Sequence, residues 1–504
     1  MNHILGAVFA VFYVIPCESL KKSKFSHGIR YFSIYLLYIC INYTRDMKRF
    51  LQLLGLCMAL AGLGSCGEDR TWQYEEKTQH NQWMYDVMVD KYLWGDALAE
   101  YEPAWKSFFS TPDAFLSTLA SKVGHSDAWS YVEIDTVRAD KHERGNFNHV
   151  NSYGFDFTLM TDPTGQTTKS VLRVLTVYPN SPAERAGLVR NDFISAYDSY
   201  KISSSNMSRL QKGVAHSLEV CHLAVDEAEG LFYWADTVMV SLPASEYVED
   251  VAFPYYNMVR ADDAVVGYLM CTRLLEYPIE QGEGRIGSTV YRDELDQIMA
   301  RMRSAGVSEM VLDLRLCNDG TLSMAQRLAS YVVAPQYVGT TFVQTLRNER
   351  YAAENITVPY SDAMGNLGLN RVYILTSSYT QGAAEWLIHS LQTTMGEENV
   401  VLIGQPTAGQ NVMTEEVGHQ FFVRLFPVVA YVADGDGNYE YGKISPAFSV
   451  NEFDYVTLAD YGSPSEILFN TAIQHICGLI GQDGSENDEN DDDLSDSEGE
   501  SSTE

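Results

Sequence analysis

Positive charge is scarce in this chain of 504 residues. Lys and Arg number 35 against 67 Asp and Glu, a formal net charge of −32. Proteins that bind nucleic acid neutralise phosphates with cationic side chains, so that class of partner is excluded. Cysteine is sparse too, at eight residues, and no two stand as CxxC. The usual zinc-ligand spacing is therefore missing, and no metal or cofactor is expected. Cys17, Cys40, Cys57 and Cys66 fall in the first 66 residues, whereas Cys221, Cys271, Cys317 and Cys477 are scattered. The sequence leaves their pairing open. The apolar run after Lys48 and Arg49 is shorter than the ~20 residues that a membrane span needs. No internal repeat is evident. What the chain does have is aromatic and aliphatic bulk, with 32 Tyr, 21 Phe, 7 Trp and 46% hydrophobic residues. That is enough for a sizeable core, and the length implies two or three domains.

The two ends read as something other than fold. "MKRFLQLLGLCMALAGLGSC" runs from Met47 to Cys66. Two bases, an apolar stretch and small residues before a cysteine make a secretory signal with a lipobox. Residues 47–66 are then a lipoprotein signal, with Cys66 as the lipidated residue. That implies a lipid-anchored protein of the bacterial cell envelope, on the periplasmic face or the cell surface. Residues 1–46 read as a non-native upstream extension, with Met47 as initiator; an upstream membrane anchor is the alternative. Residues 481–504 carry eleven acids and no base, the composition of a disordered solvated tail.

Between these ends the texture changes twice. Residues 71–135 read as helical, with Trp83, Val87, Met88 and Tyr92 at helical spacing. Residues 151–243 read as a small β-rich module, in which "NSPAERAG" is a turn, a Pro-started helical turn and a Gly stop. From 262 to 480, strands such as "EMVLDLRL" and "RVYILT" alternate with helices such as "VYRDELDQIMARMRSAG" and "AAEWLIHSL". Apolar strands buried on both faces predict a parallel-type sheet with helical crossovers. "ADGDGNYEYG" reads as a hairpin turn within the β patterning of 411–450. Its Asp434, Asp436 and Asn438 resemble a calcium loop, but no Gly stands sixth and no Glu twelfth, so calcium is not expected.

Three stretches together resemble the tail-specific, or C-terminal-processing, serine peptidases. "SPAERAGLVRNDFI" is similar to a PDZ segment. "VLDLRLCNDG" is similar to the family's strand and glycine loop. "VYILTSSYTQGAAEWLIHSL" followed by "VVLIGQPTAGQNV" is similar to its nucleophile helix and lysine loop. The resemblance implies a multidomain α/β protein with an N-terminal helical cap, a PDZ-like module and a ClpP/crotonase-like α/β peptidase domain.

The family's chemistry is a serine–lysine dyad, with backbone N–H groups of the glycine loop holding the oxyanion. Carried over with Glu385 on the family's glutamate, Gly382 takes the serine position and Ala384 a second serine. Gln410 takes the lysine position. After Asp313, Leu314 and Arg315, the oxyanion loop corresponds to Asn318, Asp319 and Gly320, behind Cys317. The resemblance therefore implies a peptidase homologue without activity at Gly382 and Gln410. It also implies binding of peptide or protein C-termini by the PDZ-like module, at Gly154, Phe155, Asp156, Val174 and Leu188. A working endopeptidase with another nucleophile is the alternative. Ser377, Ser378 and Thr380 precede the turn, where hydroxyls usually cap or bond the backbone. Cys317 with His389 as base is a further option.

Overall fold

The computed structural model describes residues 71–481 apart from 124–126, 135–150, 211, 250, 279–287, 363–364 and 421–422. The upstream extension, the signal with Cys66 and the acidic run from 482 lie outside the described residues. The chain divides into two units, 1–76 and 77–504; the following concerns the second.

Helices α1 (Thr71–Lys91), α2 (Gly95–Ala99) and α3 (Pro112–Ala120) open it. Met84, Met88 and Tyr92, spaced by four, point one way from α1 and are buried with Phe115 and Leu119. Helical periodicity does not continue to 135. Tyr131–Ile134 is a strand, β1, paired antiparallel with Val423–Phe426.

The β-rich module follows. Its elements are β2 (Phe155–Thr161), β3 (Ser170–Val177), α4 (Pro182–Ala186), β4 (Phe193–Tyr197), β5 (Tyr200–Lys201), α5 (Met207–Leu210), β6 (His216–Asp226) and β7 (Leu231–Leu242). The strands are ordered β2-β3-β4-β6-β7, with β5 beside β4. Helix α4 starts where the Pro signal places it. Ser181 Oγ accepts the Glu184 N–H at 3.1 Å, a cap worth about 1 kcal/mol.

The α/β part begins at β8 (Tyr256–Ala261), ahead of residue 262, because β8 turns directly into β9 (Ala264–Met270). It continues through α6 (Val290–Ser304), β10 (Glu309–Asp313), α7 (Leu322–Val332), β11 (Thr341–Arg347), β12 (Thr357–Pro359), β13 (Val372–Thr376), α8 (Ala383–Met395) and β14 (Val400–Gly404). Then come β15 (Val412–Thr414), β16 (Gly418–Gln420), β17 (Val423–Phe426), β18 (Val428–Ala433), β19 (Phe448–Ser449) and α9 (Ile467–Ile476). The main sheet is ordered β19-β14-β13-β10-β9-β8. It is parallel except where β8 meets β9. Strands β13 and β14 are buried along their whole length because both faces of the sheet are covered there. Met310, Leu312, Val372 and Ile374 enter one core, and Val311, Tyr373 and Leu375 the other. Smaller sheets run β12-β11-β18-β15 and β1-β17-β16.

No hairpin forms at "ADGDGNYEYG". The chain turns after β18, but no strand follows until β19. Asp434 closes this turn itself, with Oδ1 accepting the N–H groups of Asp436 at 3.0 Å and Asn438 at 2.8 Å. No helix among the described residues is long and apolar enough to cross a membrane.

Candidate active site

Strand β13 ends at Thr376, the chain turns through Ser377–Gln381, and α8 begins at Ala383. This is the strand–turn–helix construction on which hydrolases raise a nucleophile. Gly382 stands at the corner with φ +60° and ψ −118°, a conformation that glycine adopts at little cost and other residues adopt with strain. A Cβ at residue 382 would lie 3.3 Å from Gln410 Oε1. The structure thus brings together the serine and lysine positions inferred from the motifs. One offers no oxygen, and the other ends in an amide.

Glu385, which served only to set the register in the sequence, holds the two together. Its buried carboxylate accepts the backbone N–H groups of Gly409 and Gln410, both at 2.6 Å, and of Gly382 at 3.2 Å. Burial pushes the Glu385 carboxyl above its usual range, opposed by hydrogen bonds from Thr407, Gln410, Gly409 and Gly382. Trp386 Nε1 adds a bond to the Gln410 carbonyl at 3.2 Å. Gln410 is itself buried, and its Nε2 donates to the Val412 carbonyl at 3.2 Å.

The loop after β10 forms the other side. Gly320 abuts the start of α8, since a Cβ there would lie 2.7 Å from that of Ala383. The Gly320 N–H donates to Asp319 Oδ1 at 2.8 Å, so this donor faces a carboxylate. Asp319 also pairs with Arg273 at 3.3 Å. Asn318 is buried, and its Oδ1 has no hydrogen-bond partner.

The hydroxyls of Ser377 and Thr380 are engaged, and the Cys317 thiol is enclosed. Ser377 Oγ donates to the Arg315 carbonyl at 2.5 Å, and Thr380 Oγ1 to that of Leu314 at 2.8 Å. Ser378 is exposed. Cys317 is wholly buried, and burial pushes its thiol up to about 12. His389 turns to the Asn438 carbonyl and to Asp434, each at 3.3 Å. Among the described residues no group of His, Cys, Asp and Glu could hold a metal ion.

The five peptide-binding positions divide differently from expectation. Phe155, Val174 and Leu188 are core side chains, packed with Leu172, Ile194 and Leu218. They are 8%, 0% and 2% exposed, so their side chains face the core of the module. The Gly154 N–H donates to Ser152 Oγ at 2.9 Å. Asp156 accepts the Tyr178 hydroxyl at 2.6 Å, and burial pushes its carboxyl up to about 7. Among the described residues, β2 is the last strand on its side of the sheet.

A buried charge cluster below the turn was not foreseen. Arg315, after β10, pairs with Asp313 at 2.8 Å, Glu466 at 2.8 Å and Glu452 at 3.3 Å. Glu452 also takes Arg190 of the β-rich module at 2.5 Å. Asp313 is two residues from Arg315, but Glu452 and Glu466 lie more than a hundred residues from the arginines they pair with, a separation that no local pattern encodes.

The sheet order, the elbow and the facing loop define the peptidase fold of the C-terminal-processing class. Residues 267–446 match Peptidase family S41, and residues 79–131 match the Peptidase S41 N-terminal domain. These two segments carry Peptidase S41 family domains, those of a family of serine-type hydrolases. A solved structure assigned as an S41 protease from Bacteroides fragilis is similar at a TM-score of 0.69 and 26% identity, covering 79% of this chain and 98% of that one. The photosystem II D1 C-terminal processing protease aligns at a TM-score of 0.42 and 16% identity, covering 74% and 93%. No curated protein matches the sequence.

Proposed function

We propose that this chain is an envelope lipoprotein, anchored through Cys66, that uses an S41 scaffold to hold peptide or protein C-termini without cutting them. The observation that carries the reading is the pairing of Gly382 with Gln410. In a serine peptidase, losing the nucleophile or the base lowers kcat by about 10⁶, on the order of 8 kcal/mol of transition-state stabilisation. Here both are absent. Glycine has nothing to acylate, and a glutamine amide takes no proton near neutral pH. Asp319 adds to this, since a carboxylate on the Gly320 N–H opposes an oxyanion in that position. The β-rich module is the PDZ-like part on this reading, and strand addition along β2 supplies the grip.

The competing reading is an endopeptidase acting near C-termini through another nucleophile. No observation favours it, because Ser377, Thr380 and Cys317 are bonded into the turn or enclosed, and exposed Ser378 bonds no base among the described residues.

The test uses the full chain with unfolded protein and with peptides bearing apolar free C-termini. The expected result is binding without cleavage and no labelling by covalent serine or cysteine probes. Cleavage or labelling by the natural chain would overturn the reading. The double variant Gly382→Ser/Gln410→Lys, run beside it, reports whether the scaffold still supports the dyad. Incorporation of a labelled fatty acid, lost in Cys66→Ala, tests the anchor.

A further inference from the structure

Residues 105–109, "WKSFF", form a single 3-10 turn between α2 and α3. Phe108 points inward, 8% exposed, with its ring 5.2 Å from that of Phe115. Trp105 and Phe109 point outward at 66% and 38% exposure, their rings edge to face at 5.4 Å. Asn81 of α1 fixes the turn, donating Nδ2 to the carbonyls of Phe108 at 3.0 Å and Ser110 at 2.9 Å. Two aromatic rings are thus presented to solvent on an anchored backbone, with exposed Lys106 between them.

Amphipathic aromatic rings favour the headgroup level of a bilayer. Cys66 precedes Asn81 by fifteen residues, a length that spans at most ~50 Å. A lipid on Cys66 therefore leaves this turn within reach of the membrane surface. The charges around the pair select the kind of surface. Asp96, Glu100, Glu102 and Asp113 are exposed nearby in the chain, against Lys106 and Lys122. That excess of acid repels anionic headgroups and leaves neutral ones.

We propose that Trp105 and Phe109 dock on a zwitterionic lipid surface beside the anchor, as a second membrane contact. The inference rests on lipidation at Cys66.

The experiment places the full lipidated chain in phosphatidylcholine vesicles whose acyl chains carry bromine, and reads tryptophan fluorescence. Bromine should quench a component of the natural chain's emission that Trp105→Ala lacks. Replacing a third of the lipid with phosphatidylglycerol should reduce that component about twofold. A chain that floats with the vesicles, yet is quenched equally with and without Trp105, overturns the docking and leaves the anchor standing. Cross-linking of two copies through residue 105 without quenching also overturns it, in favour of a protein partner. Failure to float removes the anchor reading and the docking together.

Discussion

The carboxylate of Glu385 accepts the backbone N–H of Gln410 at 2.6 Å. The same carboxylate takes Gly409 and Gly382, so the start of α8 and the 407–410 loop are one hydrogen-bonded unit. Only backbone groups of 382 and 410 take part in these bonds. The shape of a serine–lysine site can therefore survive without either side chain.

Glu385→Ala should accordingly destabilise the fold by about 3 kcal/mol or more, since it leaves buried N–H groups unpaired. Glu385→Gln keeps one acceptor and should lose less. Urea midpoints of the two variants check this, and an alanine variant within about 1 kcal/mol of the natural chain refutes it.

Gly382→Ala should cost about 1–3 kcal/mol from the backbone conformation alone. The new Cβ would also press on Gln410 at 3.3 Å. Adding Gln410→Ala removes the contact but not the strain, so the double variant should recover only part of the loss. Full recovery in a denaturant titration would show that crowding, not φ, is what glycine answers here.

Asp156 should make stability depend on pH below neutrality. Its carboxyl is pushed up to about 7 by burial, with the Tyr178 hydrogen bond opposing, whereas an unfolded aspartate titrates near ~4. The folded chain keeps the proton that the unfolded chain has released. The contribution is therefore complete below about pH 4 and is lost as pH rises to about 7. The stability of the natural chain relative to Asp156→Asn should fall across that window. A difference that stays constant from pH 4 to 8 would be inconsistent with this titration.

Arg315→Met should cost about 3–5 kcal/mol, because Asp313 and Glu466 would remain buried without their counter-charge. Combining it with Asp313→Asn and Glu466→Gln should return part of that loss. Thermal unfolding of the single and triple variants decides between these outcomes.

The sequence made the main sheet legible because its strands are short apolar runs and its helices carry a clean apolar stripe. Met84, Met88 and Tyr92 mark a packing face without any partner being known. The site was legible through Gly382, Gln410 and the loop to Gly320, which adjoin as the motifs imply. What could not be read depends on distance along the chain. Nothing near Tyr131 announces that Val423–Phe426 pairs with it. Val174 and Leu188 have the same apolar character whether they line a groove or fill a core. The Asp319 carboxylate on the Gly320 N–H is a matter of rotamer, which no spacing reveals.

Glu452 lies between two arginines from distant parts of the chain, Arg190 and Arg315. Arg315 in turn receives Ser377 on its carbonyl, directly before the elbow. A β-rich module that swung outward would leave Arg190 without its carboxylate and Glu452 with one partner fewer. The shared carboxylate is thus a tie between the β-rich module and the floor of the elbow, so a substitution at Glu452 would be felt by both at once.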